Sequence, residues 1–195
     1  MLYTGTPGSG KSLHAAYDLI DALQDGKDVI GNFPIDKSYF RHKTNGRFFY
    51  WQNGNMSPDR LKLFSATRMI PFKEHQALLI IDECGILFNS RAWKDSDRMS
   101  WLTFFSQHRK LGYDVLLIAQ MDKQLDKQIL GNVEEEHKHR NVKNYKWFGK
   151  FLSAISGGLF LDICYWYPAR LKLSSSFFRF HPRKATIYDT FKIFD

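Results

Sequence analysis

The sequence predicts an α/β protein in which a mainly parallel sheet is flanked by helices, with a β-rich appendage at the C-terminal end. Three observations carry this. Strand-like and helix-like segments alternate through the first two thirds of the chain. Ala77–Ile81 and Val115–Ala119 are short, uninterrupted apolar runs, as parallel strands covered on both faces require. The chain also opens with a short strand that feeds directly into a glycine-rich turn and then a helix.

The elements follow in order. Met1–Thr4 is the first strand, and Leu13, Ala16, Tyr17, Ile20 and Leu23 recur at helical spacing until Asp25-Gly26 ends the helix. Val29 and Ile30 make a second strand, closed by Gly31–Pro34. Lys37–Arg47 is a basic loop, Phe48–Trp51 a third strand, and Asn53–Pro58 a turn-rich connection. Ala77–Ile81 runs straight into Asp82-Glu83. Met99, Leu102, Phe105 and Leu111 give helical spacing over Asp97–Leu111, and Gly112 stops it. Val115–Ala119 ends in the polar Gln120, and a short amphipathic helix spans Asp122–Leu130. The largely apolar stretch Phe151–Tyr167 carries Asp162 and is shorter than the roughly 20 residues needed to cross hydrocarbon. A hairpin against the main sheet is the expectation there.

The chain has 195 residues, 44% hydrophobic and 25% charged, which suits a single globular unit with a small appendage. Cys84 and Cys164 stand far apart, as buried free thiols in a reducing compartment. The glycine-rich motif begins at Gly5, with no room before it for a secretory leader, so a cytoplasmic location is expected. The formal net charge of +8 is unevenly placed: residues 1–136 hold 17 basic and 17 acidic side chains, and residues 137–195 hold 11 and 3. The expected division is therefore a core over 1–136 and a basic, aromatic-rich β extension over 137–195 packed on it. Its charge suits an anionic partner, lipid or nucleic acid, or equally a solvated face.

The chemistry lies in Gly5, Thr6, Pro7, Gly8, Ser9, Gly10, Lys11 and Ser12, which satisfy the full phosphate-loop pattern. Phosphate oxygens need several backbone N–H donors at once, and a glycine-rich turn lets the main chain curl that closely. The helix that follows adds the partial positive charge of its N-terminus. Lys11 reaches the terminal phosphates and Ser12 ligates Mg2+ through its hydroxyl. Asp82, at the C-terminal end of a buried strand, lies at the edge where such sheets bind ligands and can hold the metal through a water. Glu83 beside it can orient and deprotonate a water for attack on the terminal phosphate. Gln120, ending the next strand, can bond the terminal phosphate or that water. Arg91, Arg98 and Arg109 are candidates for an arginine that neutralises transition-state charge. These features specify a P-loop NTPase, with ATP favoured over GTP because no guanine-discriminating signature is evident.

Thr4–Ser12, Leu79–Glu83, and Gln107–Asp114 running into Leu117–Gln120 together resemble the zonula occludens toxin (Zot) family, which includes the assembly proteins of filamentous phages. The resemblance covers about residues 1–130, and the Gln107–Gln120 block gives it its specificity. It implies a cytoplasmic ATPase domain of a protein anchored in the bacterial inner membrane, driving phage assembly and export. A homo-oligomer working on phage or virion proteins and single-stranded DNA is part of that expectation. Family members continue into a membrane span and a periplasmic segment that this sequence does not contain. Lys11, Ser12, Asp82 and Glu83 match the family's functional positions. Two other readings of the same loop stay open: a nucleotide or small-molecule kinase, and a non-hydrolysing nucleotide switch that docks on membrane or virion proteins.

Overall fold

A computed structural model describes residues 1–40, 45–88 and 95–188. Among these residues one sheet of eight strands runs through the molecule: β1 (Leu2–Thr4), β2 (Asp28–Gly31), β3 (Phe48–Tyr50), β4 (Ala77–Ile81), β5 (Tyr113–Ile118), β6 (Glu135–Asn141), β7 (Leu159–Trp166) and β8 (Leu171–Arg179). The helices are α1 (Lys11–Gln24), α2 (Pro58–Arg68), α3 (Asp95–Gln107), α4 (Lys127–Leu130), α5 (Lys146–Ile155) and α6 (Pro182–Ala185). The spatial order is β3-β2-β4-β5-β1-β6-β7-β8. Every pairing from β3 to β6 is parallel, and β7 and β8 close the sheet as an antiparallel pair.

The apolar run of β4 is buried at all five positions because it is covered twice. Leu78 and Ile80 face one apolar layer with Ala15, Ala16, Leu19, Ile20 and Leu23 of α1. Leu79 and Ile81 face the other, with Leu61 and Phe64 of α2 and Trp101, Phe104 and Phe105 of α3. Side chains alternate along a strand, so a two-faced core demands apolar residues at every position.

Several expectations change. Helix α2 begins at the end of the turn-rich Asn53–Pro58 and runs through residues to which the sequence assigns no element: Ser57 caps it by accepting from the Arg60 N–H, and Pro58 opens it. Its buried stripe is just Leu61, Phe64 and Ser65, too thin to register as a periodicity. Helix α3 ends at Gln107, and its core face is Trp101, Phe104 and Phe105, with Met99 62% exposed. Phe105 belongs to the expected stripe and Leu102 and Leu111 pack, half-buried, on the same core, so Met99 alone turns outward while Trp101 and Phe104 widen the buried face. Asp122–Leu130 is broken into a 3-10 turn over Asp122–Gln124 and the short α4, because Asp126 caps a new start by accepting from the Gln128 N–H. Within Lys37–Arg47, Lys37–Tyr39 forms a further 3-10 turn.

The largest change concerns the last third. Phe151–Tyr167 is not itself a hairpin: its first part belongs to α5, Gly157 and Gly158 reverse the chain with positive φ, and β7 follows. The hairpin is β7 with β8. The boundary placed after residue 136 falls inside β6, which pairs with β1 in the middle of the sheet. Ile187 and Tyr188 are packed in the apolar layer beside α1. Both cysteines are free and buried. Among the described residues, no helix is long and apolar enough to cross a membrane.

The packing of α2 on β5 gives a first test. The buried Tyr113 hydroxyl donates to the Leu61 carbonyl at 2.8 Å. Tyr113→Phe should lower unfolding free energy by about 1–2 kcal/mol, since the carbonyl loses its donor. Chemical denaturation with no change in midpoint would contradict the assignment.

Candidate nucleotide-binding site

Parallel pairing decides where the site lies. With β1, β5 and β4 adjacent and parallel, the chain leaves all three at the same edge, into Gly5, Gln120 and Asp82. The Gly5 N–H donates to the Gln120 carbonyl at 3.3 Å, tying the loop to the neighbouring strand end.

The loop needs its glycines for two reasons. Gly5, Gly8 and Gly10 have φ of 147°, 72° and 98°, a region that L side chains rarely adopt. A Cβ at Gly5 would stand 2.6 Å from the His139 carbonyl oxygen, and one at Gly10 would stand 2.6 Å from the Phe160 ring. The loop is thus curled tightly against β6 and β7, and Asn141 adds a bond from its amide to the Gly8 carbonyl at 3.1 Å.

Lys11 opens α1 and is 8% exposed, its ammonium donating to the carbonyls of Gly5 at 2.7 Å and Thr6 at 3.3 Å. Burial pushes its pKa down, while Asp82 and Glu83 oppose that shift. The Ser12 hydroxyl lies 3.5 Å from Asp82 Oδ2. Asp82 is 4% exposed. Its Oδ1 accepts from the Glu83 N–H at 2.8 Å, and its Oδ2 also accepts from the Tyr188 hydroxyl. Burial raises the carboxyl, and the Tyr188 and Glu83 bonds oppose the shift. The Tyr188 phenol is itself pushed far up by burial and by the Asp82 charge, so it remains a donor.

Asn32, buried at the end of β2, brackets the Asp82 backbone. Its Oδ1 accepts from the Asp82 N–H at 2.7 Å and its Nδ2 donates to the Asp82 carbonyl at 2.8 Å. Glu83 follows with φ 45°, a left-handed backbone that turns the chain sharply away from the strand. Gln120 Nε2 lies 3.5 Å from Glu83 Oε1. A cleft of about 340 Å³ collects these groups: Gly8, Lys11, Ser12, Glu83, Gln120 and Tyr188 all line it. A larger hollow of about 520 Å³ on the other side of the loop includes Lys138 and Arg140 but not Lys11, Ser12 or Glu83. The smaller cleft is therefore the candidate nucleotide site.

The site residues expected from the sequence thus meet at one edge, with the exception of the arginines. Arg98 pairs with Asp126 at 2.8 Å. Arg109 pairs with Glu74 and Glu134 and follows α3 just before β5 begins, at the opposite edge of the sheet from Gln120. Arg91 lies outside the described residues. No local pattern signals Asn32 or Tyr188, since each acts through a contact fixed by the fold. The residues present fit a magnesium nucleotide: Ser12 and Asp82 offer hard oxygen donors side by side, and the positive-φ glycines let the loop curl in front of the first turn of α1.

The buried Asp82 gives a prediction with a definite sign. Its carboxyl lies above the unfolded-chain value, so ionising it costs the folded state stability, and the deficit is full above the folded pKa. Asp82→Asn should therefore raise the melting temperature at neutral pH without nucleotide or metal. The gain should shrink as pH falls toward the ordinary carboxylate range. A variant that melts lower at neutral pH would contradict this reading.

A family model described as Zonular occludens toxin (Zot) matches residues 1–153. The Gene 1 protein of Enterobacteria phage I2-2 is 29% identical over 162 residues, which are 80% of this chain and 44% of that protein. The Gene 1 protein of Escherichia phage If1 is 32% identical over 130 residues, 64% of this chain and 36% of that protein. The chain thus spans less than half the length of these curated relatives. Among solved structures, the N-terminal domain of zonular occludens toxin from Neisseria meningitidis superposes with a TM-score of 0.58 at 18% identity, covering 96% of this chain and 97% of that one. This likeness shows that the two chains share one fold.

Proposed function

The chain belongs to the Zonular occludens toxin (Zot) family, and from that premise we propose that it binds ATP with Mg2+ and hydrolyses it to drive filamentous phage assembly and export across the host inner membrane. One observation carries the reading. The loop, Lys11, Ser12, Glu83 and Gln120 line a single cleft although they come from three strand ends, and the buried Asp82 stands directly behind Ser12.

The roles follow from position. The loop amides and Lys11 hold the β- and γ-phosphates, Lys11 exchanging its carbonyl partners for phosphate oxygens. Ser12 and Asp82 would hold Mg2+, which would supply positive charge against the phosphates. Glu83 accepts a proton from a water as that water attacks the γ-phosphorus. The bond from that phosphorus to the bridging oxygen breaks, and ADP leaves with the electron pair. Gln120, against the Glu83 carboxylate, fixes its direction. A kinase would need an acceptor in place of that water, and a carboxylate beside the metal pair favours water.

No arginine is among the described residues that line the cleft. We assign the charge-neutralising arginine to a neighbouring copy in a homo-oligomer, with Arg91 a candidate. The chain acts as a cytoplasmic domain of an inner-membrane protein, working on phage proteins and single-stranded DNA. The basic C-terminal third supports an anionic partner.

Phosphate release from ATP tests the reading directly. Glu83→Gln should lower kcat about 10²–10⁴-fold while nucleotide binding survives. Unchanged turnover would remove Glu83 from its role. If a neighbour supplies an arginine, specific activity should rise with protein concentration as copies associate, and a concentration-independent value would speak against shared sites.

A further inference from the structure

Beside the nucleotide cleft, β6, β7 and α1 bring three histidines and one aspartate together inside the protein. His14 stands on the first turn of α1, His137 and His139 share one face of β6, and Asp162 lies directly across from His139 on β7. His139 is 2% exposed and Asp162 5%. Rings enclose them: Tyr3 stacks on His14 at 4.9 Å between centroids, and Phe178 stacks on the same imidazole at 4.8 Å. None of these residues has a part in the proposed hydrolysis.

Their hydrogen bonds leave a specific gap. His139 Nδ1 lies 3.1 Å from the His137 carbonyl, which can only accept, so Nδ1 carries the proton and Nε2 a lone pair. That Nε2 faces His14 Nδ1 at 2.8 Å. Asp162 Oδ2 meets His137 Nδ1 at 2.8 Å, and Asp162 Oδ1 is buried with no hydrogen-bond partner. One ligand atom each from His14, His139 and Asp162 lies within 4.8 Å of the others. A proton between the two imidazoles would satisfy the nitrogens and still leave the carboxylate oxygen orphaned.

We propose that His14, His139 and Asp162 bind a transition-metal dication, Zn2+ in the first instance. The donor set is two neutral nitrogens and one carboxylate oxygen, which suits Zn2+ and its neighbours over Mg2+. Nitrogens 2.8 Å apart subtend roughly 85° at an ion with bonds of about 2.0–2.1 Å, and a small ring rotation opens this toward the tetrahedral angle. The outer contacts match as well. His139 is oriented by a carbonyl on its other nitrogen, and Asp162 is held by His137. The remaining coordination position is left for water. The ion joins α1 to the β6–β7 pair just past Ser12, so its work is to fix the first turn of the helix that carries Lys11 and Ser12. It is a positioning site and takes no part in the chemistry.

The test uses the intact chain, stripped of metal and then held in saturating Mg2+ so that hard-oxygen sites are filled. Zn2+ is titrated calorimetrically, and Co2+ in parallel by visible absorption. One Zn2+ per chain is expected, weakened about 10-fold or more in His14→Ala and in Asp162→Asn. His14 is only half-buried on a helix and alanine is a good helix former, so that variant should fold, which circular dichroism checks. Asp162→Asn keeps the side-chain shape. The second group nearby, Glu135, His137 and Cys164, provides the control. Cys164→Ser should leave the titration unchanged, and the Co2+ spectrum should lack a thiolate charge-transfer band. No uptake of Zn2+ above Mg2+ would overturn the proposal, as would uptake unaffected by both variants. Uptake lost with Cys164→Ser would overturn it too, by moving the ion to the other group.

Discussion

The parallel register of three neighbouring strands governs the rest of this molecule. Because β1, β5 and β4 run the same way, the phosphate loop, Gln120 and Asp82 leave the sheet at one edge. If either pairing ran antiparallel, one of the three would emerge a strand length away. The two-faced core enforces that register. Alternate residues of β4 feed different apolar layers, and a slip of one residue would exchange every one of them.

The last third of the chain completes the site. Phe160 from β7 packs against Gly10, the His139 carbonyl sits against Gly5, and Tyr188 closes on the Asp82 carboxylate. Charge alone separates this segment from the core, and charge does not track packing. The basic side chains are mostly on the surface, while Val142 and Ile163 are buried and Ile187 and Tyr188 join the apolar layer beside α1.

What could be read in advance follows the reach of each signal. The phosphate loop is a local pattern, fixed by backbone sterics within eight residues, and so was legible outright. The apolar strands β4 and β5 were legible because burial on both faces writes itself into consecutive positions. Helix α2 was hidden by its thin stripe, whereas in α3 the stripe through Leu102 and Phe105 holds and only Met99 departs from it. The contacts of Asn32 and Tyr188 with Asp82 depend on chain crossings that no local pattern records. Sequence spacing likewise offered Arg98 and Arg109 without saying that carboxylates elsewhere would claim them.

Tyr188 has a consequence for the charge of the site. Its hydroxyl donates to the same oxygen of Asp82 that faces Ser12. That bond opposes the upward push of burial on the carboxyl, so without the phenol Asp82 would hold its proton more readily. A residue more than a hundred positions downstream thereby keeps this carboxylate ready for a cation.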